Sequence, residues 1–301
     1  MKGKYIASVF AMILLCSFVS AGFFDFIDGI TGRASSQPTN VSVSVAGTTK
    51  AQITFVSSIP NIDANESSYR VVEFNVHMYD ADGVNDLNDT SVFANFTREG
   101  EAVRETNSYC SLENDVDANT ANYSCSINMW YWDENGDWNV SIRGKDLGNG
   151  SEVYNTSTTF QYNLLSAMVI SPFALTWPTV SSGALNQTSD NDPTLINNTG
   201  NYNSTIDITA TNLHGESVSS QAIYAENFTA DVNTGSSIEC LGTALANSSA
   251  QTITGSVANR GNLSAGSGAG QEQFYYCIPE VPLVSSQTYS TSAEGSWIIS
   301  Y

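Results

Sequence analysis

Across residues 72–78 apolar and polar side chains alternate strictly. Val72, Phe74, Val76 and Met78 fall on one side, and Glu73, Asn75 and His77 on the other. A period of two marks a strand with one face buried and one in solvent, so His77 reads as a solvated strand residue. The same period runs through Val41, Val43 and Val45, continues at Ile53 and Phe55, and returns at Ile206, Ile208 and Ala210 and at Trp297 and Ile299. Further strands are predicted over 92–97, 103–112, 122–132, 137–143, 156–162 and 274–278. Asn135-Gly136, between the Trp132 and Trp138 strands, supplies the positive φ angles of a tight hairpin turn. No segment sustains a helical period. Short strands broken by turn residues predict an all-β chain.

A chain of 301 residues is long enough for about two domains. The expected layout is two tandem Ig-like β-sandwich domains, 38–165 and 166–301, after an N-terminal signal segment. Pro172, Pro178 and Ser181-Ser182-Gly183 mark the start of the second, and 261–270 is a Gly/Ser/Ala-rich loop. Lys2 and Lys4, an apolar run over 6–19 and the small residues Val19-Ser20-Ala21 make 1–21 a signal peptide. Left uncleaved, the uncharged stretch 6–24 is long enough to anchor the chain in a membrane with the rest outside. Residues 22–37 form a linker, apolar and then polar. Its Phe23, Phe24, Phe26 and Ile27 need burial: on the chain itself, in a membrane, or as a strand added to a neighbour's sheet edge.

Charge narrows the partners. The formal net charge is −20, and removal of 1–21 leaves 8 basic against 30 acidic residues, or −22. Beyond Asp146 the only Lys or Arg is Arg260. Such a surface excludes nucleic-acid backbone binding as a main role, and attracts metal ions and basic partners.

The cysteines beyond the signal are Cys110, Cys125, Cys240 and Cys277. In an exported chain they read as two disulfides, and the pairs Cys110–Cys125 and Cys240–Cys277 each stay within one expected domain. Zinc is the competing reading, but no C-x₂-C element is present and only His77 and His214 could assist.

Fourteen Asn-x-Ser/Thr sequons start at Asn40, Asn65, Asn88, Asn95, Asn122, Asn139, Asn149, Asn155, Asn186, Asn197, Asn203, Asn227, Asn247 and Asn262. The chain's 29 Asn and 68 Ser plus Thr would give about six or seven by random placement. The excess fits a glycan-coated exported protein. Part of it reflects the loop and edge-strand preference of these residue types.

Asn119-Thr120-Ala121-Asn122-Tyr123-Ser124-Cys125 resembles the Asp-Thr-Ala-x-Tyr-x-Cys run of immunoglobulin-fold domains. The resemblance implies that Tyr123 forms a tyrosine corner, its hydroxyl bonding upstream backbone. Tyr275-Tyr276-Cys277 repeats the spacing. The chain departs from the family in two ways: Cys110 is too close to be the usual strand-B cysteine, and no core Trp separates the two. The bridge would therefore tie neighbouring strands instead of two sheets. More broadly, the loop from Asp80 to Leu87, the run Trp130-Tyr131-Trp132 followed by Gly136-Asp137-Trp138, and the sequon-rich background resemble exported Ig-like cell-surface and surface-layer-type proteins of small-genome archaea. That resemblance implies a cell-envelope role.

Asp80, Asp82, Asn85 and Asp86 surround Gly83. Oxygen ligands at alternating positions around a Gly bend suit Ca²⁺, although no Glu closes the loop at the twelfth position. The competing reading is a solvated turn. No other cofactor is implied. Trp130, Trp132 and Trp138 could line a carbohydrate or partner site, or could pair across strands. No G-x-S-x-G, H-E-x-x-H or phosphate loop occurs, so no enzyme is expected. The expected function is an extracellular structural glycoprotein of the cell envelope, a surface-layer or surface-filament component. Its partners would be like subunits or other envelope proteins and glycans, with the membrane touched only through an uncleaved N-terminal segment. The alternative is an adhesin or carbohydrate-binding surface module.

Overall fold

The computed structural model describes residues 40–43, 49–233, 238–265 and 269–301. The chain divides into a unit over 1–45 and a unit over 46–301. The signal segment, the linker 22–37 and Val45 lie outside the described residues. Val41 and Val43 are 79% and 78% exposed and belong to no strand, so alternation alone did not make a sheet there.

The larger unit is all-β. Its first eight strands are β1 (Gln52–Val56), β2 (Tyr69–Tyr79), β3 (Phe93–Thr97), β4 (Arg104–Glu105), β5 (Ser111–Asp115), β6 (Thr120–Trp130), β7 (Gly136–Gly144) and β8 (Val153–Tyr162). They form two antiparallel four-stranded sheets, ordered β1-β2-β6-β5 and β4-β3-β7-β8. The sheets share one core, to which β2 sends Val72, Phe74, Val76 and Met78, the face that the alternation defines. Tyr123, Cys125, Ile127 and Met129 of β6 join them from the same sheet. Phe96, Trp138, Ile142 and Phe160 close the core from the other sheet. Phe96 packs against Phe74 at 5.6 Å and Phe160 at 4.7 Å between ring centroids. Each such large apolar side chain contributes about 1.5–3 kcal/mol by leaving water.

Two expected elements come out differently. The 103–112 strand is broken: β4 lies in one sheet and β5 in the other, so 106–110 crosses between them. The Asn135-Gly136 hairpin is also a crossing, because β6 pairs with β2 and β5 whereas β7 pairs with β3 and β8. Gly136 does take a positive φ of 121°, and the Arg98 guanidinium occupies the space a side chain there would need. Its role is to start β7 beneath that arginine.

Twelve further strands follow: β9 (Met168–Ser171), β10 (Leu185–Thr188), β11 (Thr194–Asn198), β12 (Asp207–Thr209), β13 (Leu213–Gly215), β14 (Ala222–Ile223), β15 (Thr229–Asp231), β16 (Thr243–Ala244), β17 (Gln251–Thr252), β18 (Gln271–Glu280), β19 (Tyr289–Ser290) and β20 (Ile298–Ser300). They make three antiparallel sheets. The largest is ordered β16-β15-β18-β11-β9, with β10 also on β18; the others are β17-β12-β20 and β14-β13-β19. Ile206, Ile208 and Ala210 are buried as their alternation requires. They share a second core with Phe228, Phe274 and Tyr276. Trp177 and Trp297 stand edge-on to Phe228 at 5.3 and 5.2 Å.

The Asn201 side chain clasps the connection between the two cores, alongside backbone bonds from the Asn163 amide to Ile62 and from the Asn201 amide to Leu165. Asn201 Oδ1 accepts from the Leu165 amide at 2.7 Å, and its Nδ2 donates to the Asn163 carbonyl at 2.9 Å.

Disulfides join Cys110 to Cys125 and Cys240 to Cys277. Cys110 ends the 106–110 crossing, and its amide donates to the Val92 carbonyl just before β3 at 2.7 Å. The first bridge therefore fastens a sheet crossing to β6. Cys125→Ser should cost about 3 kcal/mol of stability, the loop-closure value for a bridge spanning 15 residues. Urea unfolding of the two forms, with and without reductant, checks this: the variant should unfold at lower urea without reductant, and the difference should close when reductant opens every bridge in both forms.

Candidate metal site, tryptophan arch and sequon surface

The 80–88 loop follows β2, where the buried Met78 gives way to a turn. Asp80 is fully buried and Asp86 nearly so, while Asp82 is exposed. Ligand oxygens of these three carboxylates lie within 4.8 Å of one another. Asn85, grouped with them in the sequence, is exposed. The Asp82 amide donates to Asp80 Oδ1 at 2.8 Å, whereas Asp80 Oδ2 has no hydrogen-bond partner. Burial pushes the Asp80 carboxyl up, the Asp82 amide opposes this, and the charges of Asp86, Asp82 and Asp146 add to the rise. Asp146 was not singled out in the sequence. Burial pushes it up too, but the amides of Ala51, Gly150 and Asn149 together outweigh that and hold it low.

Trp130, Trp132 and Trp138 do not form one platform. Trp138 is a core residue with 0% exposure, and its indole N–H donates to the Glu134 carbonyl at 2.9 Å. Trp130 and Trp132 are half-buried and stack on each other at 4.7 Å. They flank the arch 131–135, which carries the chain from one sheet to the other. Asp133, fully buried, closes the arch: its carboxylate accepts from the Trp130 amide at 2.7 Å and from Arg104 Nε at 2.9 Å, and pairs with Arg104 Nη2. The Tyr162 hydroxyl donates to the Trp130 carbonyl at 3.1 Å.

Arg260 seats the second core on this arch. Its Nη2 and Nη1 reach the Glu101 carboxylate at 2.6 and 3.1 Å, and Nη1 donates to the Trp132 carbonyl at 2.8 Å. The Leu263 amide donates to the Tyr131 hydroxyl at 3.2 Å. The isolation of Arg260 in an acidic half was the one sequence signal of this role.

Tyr123 is buried as the immunoglobulin-like run implies, but its hydroxyl donates to the Asp89 carboxylate at 2.7 Å and not to upstream backbone. The repeat fails in the second half: Tyr275 is half-exposed, and its hydroxyl donates to Gln273. Zinc finds no thiolate, since all four described cysteines are bridged. His214 is engaged at both ring nitrogens, by Glu294 at 2.6 Å and the Ser219 carbonyl at 3.1 Å. His77 lies on β2 with its ring 4.8 Å from that of Phe55.

All fourteen sequon asparagines are described, and none is buried. Asn198, Asn201 and Asn212 are buried, and none of them begins a sequon. Hydrogen bonding separates the two groups further. The buried three donate through Nδ2, for example Asn198 to the Ala258 carbonyl at 2.9 Å. Among the described residues, eight sequon asparagines accept through Oδ1, namely Asn88, Asn149, Asn155, Asn197, Asn203, Asn227, Asn247 and Asn262. Asn65 and Asn122 instead have Nδ2 contacts stretched to 3.5 Å, and Asn95 Oδ1 has no partner. At Asn88 and Asn155 the Oδ1 accepts from the sequon's own Thr90 and Ser157 amides, at 3.2 and 3.0 Å. Asn203 Oδ1 accepts from the Arg260 amide at 2.6 Å.

A cavity of about 430 Å³ opens beside the second core, lined by Trp177, Thr194, Leu213, Tyr276 and Trp297 among others. Asp192 lies close behind it, accepting from the Tyr276 amide at 3.0 Å through Oδ2 while Oδ1 has no partner. Burial drives its pKa up to about 6, against the lowering effect of the Tyr276 amide and the Ser189 hydroxyl.

Fold and bridges together define an all-β, disulfide-bonded protein, the chemistry of an oxidising compartment. Among the described residues no helix is long and apolar enough to cross a membrane. No family model matches the chain, and no curated protein matches it.

Two substitutions test these contacts. Arg260→Ala leaves Glu101, whose side chain is only 8% exposed, without its cation. The loss should be about 3–5 kcal/mol, the usual cost of breaking a buried pair from one side, measured by chemical denaturation. Asp192 binds its proton more tightly folded than unfolded. Its contribution is therefore fully present below the ordinary value of 3.8 and is lost as pH rises through about 6. Asp192→Asn should match the wild type's thermal midpoint near about pH 4 and exceed it near about pH 7. Parallel midpoints at both pH values would show that Asp192 ionises without cost.

Proposed function

We propose that this chain is an extracellular structural glycoprotein of the cell envelope, working as a surface-layer or surface-filament component of the kind its sequence resembles. The observation that carries the reading is the division between its asparagines. N-linked attachment needs a reachable Nδ2, and among the described residues no sequon asparagine donates through it except Asn65 and Asn122, at 3.5 Å, whereas the buried asparagines do. Two disulfides support export, since such bridges persist in oxidising compartments. The acidic balance favours a hydrated, mutually repelling surface that needs specific contacts to assemble.

The adhesin reading is weakened by the burial of Trp138, which leaves only the half-buried Trp130–Trp132 stack for a sugar. Intact-mass and glycopeptide spectrometry on native envelopes is the direct check. Recovery in the envelope fraction with glycan mass on several of the exposed Asn65, Asn139, Asn149, Asn186, Asn203 and Asn247 is expected. A glycan-free chain found only in the medium would defeat the reading.

A further inference from the structure

We propose that Asp80, Asp82 and Asp86 bind a calcium ion that locks the segment entering β1 onto the 80–88 loop. Acidic residues that cluster in a turn are ordinarily just solvated, so the argument rests on Asp80. This carboxylate is fully buried, and one of its oxygens, Oδ2, has no donor. A buried carboxylate oxygen without a donor is a costly arrangement for a fold to hold. Around it stand Asp82 and Asp86, and the charge of Asp146 is also felt there. Among the described residues no Lys or Arg pairs with Asp80. Neighbouring backbone amides are already spent elsewhere: those of Ala51, Asn149 and Gly150 on Asp146, and that of Thr49 on Asp82 Oδ2 at 2.7 Å.

A divalent cation resolves this arrangement. Two oxygens on opposite sides of one Ca²⁺ stand about 5 Å apart, twice the 2.3–2.6 Å bond. The three carboxylates offer oxygens within 4.8 Å of one another, so one ion can reach all of them. All-oxygen, carboxylate-rich coordination is what this hard ion takes, with water completing the shell on the exposed Asp82 side.

Residues of this cluster, with Asp146 beside it, also join three separate segments. Asp82 takes the Thr49 amide, the Asp86 carbonyl takes the Leu147 amide at 2.6 Å, and Asp146 takes the Ala51 amide at 3.1 Å. Neutralising the cluster would tighten the 49–51, 80–87 and 145–150 segments as one unit. This inference does not depend on the envelope reading, because it concerns only the purified chain.

The test is calcium titration of the full exported chain after chelator stripping, followed by calorimetry, thermal midpoint and amide hydrogen exchange. Saturable binding is expected with a Kd of about 10⁻⁴–10⁻³ M or tighter. The midpoint should rise, and exchange at the Thr49, Asp82 and Leu147 amides should slow. Asp80→Asn should abolish the response. Asp82→Asn, at an exposed position, should weaken binding at least about tenfold while folding normally, and stands as the test if Asp80→Asn does not fold. Glu99→Gln, exposed on another loop, should bind like the wild type. The proposal is overturned if calcium produces neither heat nor a midpoint shift, or if both aspartate variants bind as tightly as the wild type. Equal binding of Mg²⁺ would overturn the assignment to calcium.

Discussion

Burying carboxylates in a chain with very few cations is the constraint on which the rest of this structure depends. Thirty acids face ten bases over the whole sequence, and several acids are nonetheless taken out of water. Each buried acid is handled differently. Asp133 receives an arginine and a backbone amide, yet burial outweighs both and holds its carboxyl above the ordinary range. Asp146 receives three amides and no cation, which suffices to hold its carboxyl below the ordinary range. Glu101 takes both ends of the Arg260 guanidinium. Asp192 has an amide and a hydroxyl, which fall short, and its pKa rises. Asp80 has one amide and one orphaned oxygen. The ranking follows from desolvation: each donor aimed at the anion offsets part of the cost of leaving water, and too few donors leave the proton or an external ion to supply the rest.

Three of the scarce arginines, Arg98, Arg104 and Arg260, bind the sheet crossings. A sandwich must carry its chain from one sheet to the other without the ladder bonds that satisfy strands, so these segments expose backbone groups to the interior. At 106–110 the Cys110 bridge and the Val92 carbonyl hold the crossing. At 131–135 Asp133 does so, with Arg104 reaching it from the strand that leads into the other crossing. One ion pair thereby fixes both passages relative to each other. Arg260 then binds the outside of the second passage, through a carbonyl that the arch leaves turned outward and the carboxylate of Glu101. A guanidinium can satisfy both at once because its donors lie in a planar fork; a lysine could not do the same with one ammonium.

The strands that form the first core were legible because they are long and half-buried. In β2 every second residue from Val72 to Met78 is buried, so the period carried the information. What the period cannot say is which sheet a strand joins. For that reason 103–112 read as one strand and Asn135-Gly136 as a hairpin, although both mark passages between sheets. The second half was harder, because β14, β16, β17 and β19 have two residues each and hold too few positions to show any period. The disulfide pairs were legible from their separation in the chain. The acidic loop was legible by residue type, but its decisive feature, the orphaned oxygen of Asp80, depends on burial that composition does not reveal. Trp138 shows the reverse error: an aromatic near other tryptophans suggested a surface, while its place on the inward face of β7 made it core.

The excess of sequons has two physical readings, and they apply to different sites. Turn chemistry accounts for sites such as Asn88, where Oδ1 accepts from the Thr90 amide and the side chain closes a local turn. There, Asn followed two residues later by Thr would be favoured for folding alone, and the free Nδ2 is a by-product. Asn95, Asn122, Asn139 and Asn197 instead sit on β3, β6, β7 and β11. Asn is a poor strand residue, and a ladder position gives it no turn to close. Within these strands the sequon asparagines stay out of the core while their neighbours alternate into it, as Asn139 does between the buried Trp138 and Val140. Fold stability gives little reason to choose Asn over Thr, Val or Tyr at such sites. Only about 13% of the residues are charged, roughly half the ordinary share, so the exposed faces must hold water by other means. Outward-facing amides on strand faces are what a surface hydrated by attached sugars, instead of by ionised side chains, would require.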